Sequence, residues 1–289
     1  MKLARLLLAA HLGALLFGLA GLLVALPNPQ LWADDPTALR VFDFGMRYAG
    51  SLHIVLGAAA MLAFGGAAVG WGKTLIFFAA STSINLAAEL LGTTTGYPFG
   101  DYAYTDFLGV KVAGHVPFSI PLSWFYLGFA AYLLGSALAA RWGIAPRAVW
   151  AVGLGVWLLV VWDLVLDPAM AHPSMPVRFW EWGETGAYLG MPVKNFGGWA
   201  LTGLPFMALA RLLWREDIEI GPGRLRFPLA VYAANTGFAM VLAASVGLWL
   251  PIVLAAVFGL LAAALAARSP SERNRDRVLA VAAGSSRPK

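Results

Sequence analysis

The chain has no cysteine and only four histidines in 289 residues. Without thiols it has no disulfide frame, no thiolate metal site and no cysteine nucleophile. His11, His53, His115 and His172 form no HxxxH or HxxHH cluster, so the ligands of a membrane di-iron hydroxylase or desaturase are missing. His11 falls on the inner side of the layout below and the other three on the outer side. That spacing argues against paired haem ligation and reads each histidine as structural or interfacial. Charge is scarce too: 12% of residues are charged and 60% hydrophobic, where a soluble domain carries about a quarter charged. No phosphate-binding loop, dinucleotide fingerprint or nucleic-acid motif occurs, and no inverted repeat is evident. A pI near 9.6 therefore reads as membrane topology rather than nucleic-acid binding, because basic residues collect on cytoplasmic loops.

What fills the chain is apolar. Mean hydropathy is +0.73, and windows long enough to cross a hydrocarbon core of about 30 Å recur. They predict an all-α, polytopic membrane bundle of about eight helices, at 3–26, 47–70, 74–92, 118–140, 147–168, 196–214, 226–245 and 247–267. Lys2, Arg5 and the apolar run behind them imitate a signal peptide, but the run is long and no small-x-small site precedes Pro27, so it reads as a retained first helix. One transmembrane domain over 1–267, with long loops at 93–117 and 169–195, is expected to precede a basic, disordered cytoplasmic tail at 268–289. An N-in, C-in layout places fifteen of the 20 basic residues inside, leaving Arg40, Arg47, Lys111, Arg178 and Lys194 outside. Trp71, Trp142 and Trp214 then read as an inner aromatic belt.

Three acids fall inside spans: Glu89 in the third, and Asp163 and Asp167 in the fifth. Glu89 lies sixteen residues after Lys73, and Asp163 sixteen after Arg147. Both helices run the same way, so the two groups reach one level, about 24 Å above their anchors. Asn85 and Glu89 are four apart, as are Asp163 and Asp167, which puts each pair on one helix face. An acid in a span costs ~2.5 kcal/mol or more unless partnered. All three are candidate catalytic groups, for carboxyls brought together can supply an acid beside a base. Asp167, directly before Pro168 and a loop, fits an interfacial reading equally well.

Both long loops are aromatic. The first offers Thr95, Tyr97, Phe99, Tyr102 and Tyr104, with Gly96, Pro98 and Gly100 marking turns; Trp124 follows at the start of the fourth span. The second carries Trp180, Trp182 and Tyr188, then Asn195 and Trp199. With Asn85 these are candidate substrate-binding residues, read as a lid or pocket mouth over the carboxylate layer.

The motifs E-x-x-G-x-x-T-G-x-x-F-G-x-Y-x-Y (89–104), P-x-x-I-P-L-S-W (117–124), D-x-x-x-D-P (163–168) and W-x-W-x-x-x-G-x-Y-x-G-x-P-x-x-N-x-x-G-W (180–199) resemble the bacterial and archaeal carotenoid biosynthesis proteins of the carotenoid 1',2'-hydratase type. The resemblance covers about 45–245. It implies addition of water to the terminal double bond of an acyclic ψ-end, such as that of γ-carotene, lycopene or a related C50 precursor. An acid would protonate the less substituted carbon, aromatic faces would stabilise the tertiary cation, and a base would activate water. No metal or other cofactor is called for. The implied partners are a carotenoid drawn from the bilayer, membrane lipids and other carotenoid-pathway enzymes, in a bacterial cytoplasmic membrane, with no nucleic acid. Two other readings stand beside it. One is an isoprenoid transferase holding Mg²⁺ on Asp163 and Asp167; the other is a proton-coupled transporter.

Overall fold

Inside a bilayer each backbone N–H and C=O must find a partner in its own segment, and a helix provides that. The structure, a computed structural model, describes residues 1–268. The expected tail lies outside the described residues apart from Arg268. Among the described residues, eight helical segments are long and apolar enough to cross a membrane. Their outward faces carry large apolar side chains such as Leu6, Leu16 and Leu212, each about two-thirds exposed, as lipid-facing surface requires. The chain is an integral membrane protein of all-α architecture.

The first span joins α1 (Lys2–Ala20) to a π turn at Gly21–Ala25. The second joins α2 (Pro36–Phe44), a π turn at Gly45–Ala49 and α3 (Gly50–Ala68) into one rod. Its start at 36, rather than 47, corrects the sequence expectation. Asp35 caps it by accepting from the Thr37 and Ala38 amides, and Pro36 takes the first-turn position. At 33 residues the rod is about 50 Å long. It therefore carries Arg40, Asp43 and Arg47 on its exposed first half and brings His53 down beside His11. The two rings lie 6.2 Å apart, which overturns their assignment to opposite sides.

α4 (Trp71–Thr95) ends at Gly96, whose φ of 77° supplies the left-handed cap. α5 (Ser119–Trp142) is the axis of the bundle, the most completely buried of the spans. It packs against α3, α4 and α6 (Arg147–Met170), and against α8 (Pro222–Ser245) and α10 (Leu261–Ala267). α7 (Lys194–Trp214) lies against α4 and α6. α9 (Trp249–Leu254) and a π segment lead into α10 after a tight turn at Gly247, where φ is 76°.

At the Lys73 end of the bundle the 215–221 connection folds across three helices. Glu216, Glu219 and Asp217 pair there with Lys73, Arg147 and Arg211. Trp214 is no belt residue. It is buried, stacks on Phe77 at 5.9 Å and donates to the Lys73 carbonyl. At the opposite end the two long loops close over the helices through a ribbon of β1 (Tyr102–Tyr104) and β4 (Trp180–Trp182). A smaller hairpin of β2 (Lys111–Val112) and β3 (Val116–Pro117) leads into α5.

α5 and α6 touch at glycine: a Cβ on Gly135 would lie 2.5 Å from the Gly155 nitrogen, and one on Gly155 would lie 3.0 Å from Tyr132 Cα. Gly135→Leu should therefore destabilise the bundle by ~1–3 kcal/mol or more, read as a lowered Tm in detergent. The basic-residue asymmetry predicts that a single cysteine at His115 reacts with a membrane-impermeant maleimide in intact cells. A cysteine at Ala145 should react only after permeabilisation, and the cysteine-free parent makes the comparison clean.

Candidate active site

Strand periodicity builds the roof of the site. Tyr102 pairs with Trp182 and Tyr104 with Trp180, so all four aromatics point to one face while Ala103 and Glu181 point away. The ribbon is clamped at its edge. Gly183 N–H donates to the Asp101 carbonyl, and Glu184 Oε1 accepts from the Asp101 amide at 2.9 Å and from Lys194 Nζ at 2.7 Å. The Lys194 ammonium holds the Glu184 carboxyl below its usual range.

Beneath the ribbon lies a cavity of about 80 Å³. Glu89 enters from α4, Asp167 from α6 and Asn195 from α7; Trp124 and Trp199 stack at 4.1 Å beside them. Glu89 is buried under four donors. Tyr102 and Tyr104 hydroxyls donate to Oε2, the latter at 2.9 Å, and Trp124 Nε1 and Asn85 Nδ2 donate to Oε1 at 3.2 and 3.3 Å. Burial and the adjacent Glu89 carboxylate push both tyrosines well above their ordinary range, so they remain O–H donors. The second acidic centre is built differently. A single nitrogen, Asn195 Nδ2, donates to Asp163 Oδ2 at 2.9 Å and to Asp167 Oδ2 at 2.6 Å. Asp163 Oδ1 is buried with no partner among the described residues.

α6 runs through Pro168 to Met170, so Asp167 is buried, not at an interface. Proline removes one N–H and frees the carbonyl four residues earlier. Tyr188 hydroxyl donates to that carbonyl, Leu164 O, at 3.1 Å. Tyr188 therefore stands outside the cavity lining as the partner that lets the helix continue, its phenol pushed up to about 12 by burial and by Asp163. Asn85 and Asp163 also lie behind the lining, touching the groups that form it. Thr95 and Tyr97 are not brought to the cavity. α4 continues through Thr95, whose hydroxyl donates to the Leu91 carbonyl at 2.7 Å, and Tyr97 is exposed at the rim. Phe99, Trp180 and Trp182 line the cavity as the roof and its edge.

Four further lining residues escaped sequence reasoning: Trp162, Tyr126, Asn235 and His53. Tyr126 hydroxyl donates to Asn235 Oδ1 at 2.8 Å, and Asn235 Nδ2 reaches His11 Nε2 at 3.0 Å. Asn235 is an amide side chain inside an apolar span, as Asn85 is, and that signal was available in the sequence. No group of three or more metal-binding side chains is assembled among the described residues.

Residues 49–262 match the carotenoid biosynthesis protein family. The chain belongs to that family. It is also 35% identical over 124 residues to a bisanhydrobacterioruberin hydratase of Haloarcula japonica. That alignment covers 43% of this chain and 40% of the relative. No solved structure matches. The matched span contains every described residue of the cavity, including both acidic centres.

Tyr102→Phe removes one of four hydrogen bonds to a buried carboxylate. It should cost ~1.5–3 kcal/mol, read by thermal unfolding in detergent, while Tyr97→Phe should leave the transition in place.

Proposed function

We propose that this carotenoid biosynthesis protein is a carotenoid 1',2'-hydratase, adding water to the terminal double bond of an acyclic ψ-end such as that of lycopene or γ-carotene. The observation that carries the reading is the meeting of two unlike acidic centres, Glu89 and Asp167, on one cavity walled by indole and phenol rings. The similarity to a hydratase over part of the chain supports it.

The chemistry assigns the two centres different work. Glu89 receives only donors, an environment suited to its carboxylate form. Asp163 and Asp167 rest on one shared donor and are best accommodated with a proton between them. Asp167, the member that faces the cavity, transfers that proton to the less substituted alkene carbon. The C=C π electrons form the new C–H bond and leave a tertiary cation. The Glu89 charge and the aromatic faces stabilise this cation, each cation–π contact by up to ~2 kcal/mol in a dry site. A water molecule then adds its oxygen to the cation and returns a proton to Asp167. The product is a tertiary alcohol and the carboxyl pair is restored. Exclusion of bulk water keeps the cation alive long enough for one positioned water to trap it.

The rival Mg²⁺ transferase needs the two aspartates free to face a cation. Here the Asn195 amide nitrogen sits between them as a donor, which opposes a divalent ion at that point.

Expression in cells that accumulate lycopene or γ-carotene, with pigments analysed by mass, tests the reading. The wild type should add one water per reacting end. Glu89→Gln and Asp167→Asn, at equal membrane abundance, should each lower conversion by ~100-fold or more. Conversion that survives both substitutions would remove the mechanism. Absence of any hydrated pigment from folded wild type with either substrate would remove the activity.

A further inference from the structure

A second and larger cavity lies beside the first. It occupies about 680 Å³ between α1, α2 and α3, and Val177 and Phe179 of the second long loop also line it. That volume is within the ~300–1,000 Å³ usual for small-molecule sites. Its walls are apolar and its polar groups are already engaged: Asp35 caps α2, and Trp32 Nε1 donates to the Ala25 carbonyl at 2.7 Å. His53, Met170 and Phe238 line both this groove and the carboxylate cavity, so the two spaces meet at those side chains.

The helices are modified where they face the groove. Both π turns, Gly21–Ala25 and Gly45–Ala49, stand on its walls, and π turns within helices occur frequently at functional sites. Gly21 has ordinary helical geometry, with φ −60°, and a Cβ there would meet nothing within 4 Å. Backbone conformation does not require glycine at that position; what glycine preserves is open volume. At the junction, His53 Nδ1 lies 3.1 Å from the Ala49 carbonyl. A carbonyl only accepts, so Nδ1 carries the hydrogen and Nε2 the lone pair. The junction is thus where the apolar groove turns polar.

We propose that this groove holds the polyene of the substrate, a long conjugated hydrocarbon, and that its acyclic end passes His53, Met170 and Phe238 to reach Glu89 and Asp167. The assignment rests on the hydratase reading for its choice of occupant. A cavity of about 80 Å³ takes only the tip of such a chain. The stiff remainder must leave along one line, and the adjoining apolar groove supplies it. Chain recognition then belongs to α1, α2 and α3, and end recognition to the aromatic ribbon.

The test uses the purified full-length protein in detergent with lycopene as the probe, reading the visible circular dichroism that a twisted, bound polyene acquires. The wild type should induce a signal. Gly21→Phe, which fills the groove from α1, should weaken binding by about tenfold or more. Gly153→Phe, on the outward face of α6 where a Cβ also meets nothing, should bind as the wild type does. Ala38→Phe, projecting from the α2 wall, repeats the test if Gly21→Phe fails to fold. No signal from wild type, or equal signals from wild type and both groove variants, overturns the proposal. Binding that depends on the groove without any hydration of lycopene or γ-carotene would overturn the hydratase reading and leave the groove assignment standing.

Discussion

Burying a carboxylate away from water costs several kcal/mol even after the protein relaxes. Glu89 meets that cost with four hydrogen bonds, each worth ~1.5–3 kcal/mol when one partner is charged. The donors come from three elements: Asn85 from the same helix, Trp124 from α5, and Tyr102 and Tyr104 from β1. The two tyrosines reach Glu89 only because the first long loop folds back over the bundle. It holds there because β1 pairs with β4 from the second loop. Satisfying one acid thus draws both loops together, and their closure forms the aromatic roof.

The difference between the two acidic centres gives the site its chemical direction. A carboxylate surrounded by donors is an anion that stays in place, suited to facing positive charge. Two carboxyls sharing one amide have an oxygen, Asp163 Oδ1, with no partner among the described residues, and room to hold or give up a proton. Hydration of an alkene needs both: a proton to begin and a fixed negative field around the cation that follows. Under the proposed hydratase reading, the apolar groove beside the cavity would meet a third requirement, delivery of a water-insoluble chain to the acids.

Several residues that look chemical serve the backbone instead. Tyr188 stands outside the cavity lining and completes the hydrogen bonding that Pro168 interrupts. Thr93, Thr94 and Thr95 turn their hydroxyls back onto carbonyls of their own helix. Trp214 ties α7 to the start of α4. Each of these polar side chains finds its hydrogen-bond partner in the main chain.

Hydrophobic length and charge by themselves determined the membrane class, the eight spans and the rare depth of Glu89, Asp163 and Asp167, because lipid tolerates few alternatives to an apolar helix. Tyr102–Ala103–Tyr104 and Trp180–Glu181–Trp182 were legible only as parts of two aromatic loops, not as paired strands, since pairing and register are settled between segments 78 residues apart. Only the tertiary structure decided that His53, Tyr126, Trp162 and Asn235 line one cavity with Glu89 and Asp167, that Thr95 and Tyr97 do not, and that the aspartates share Asn195. Periodicity along a helix says which residues share a face. Which neighbour that face meets depends on helix rotation and packing, and close contacts such as Gly135 against Gly155 fix these between segments rather than within one.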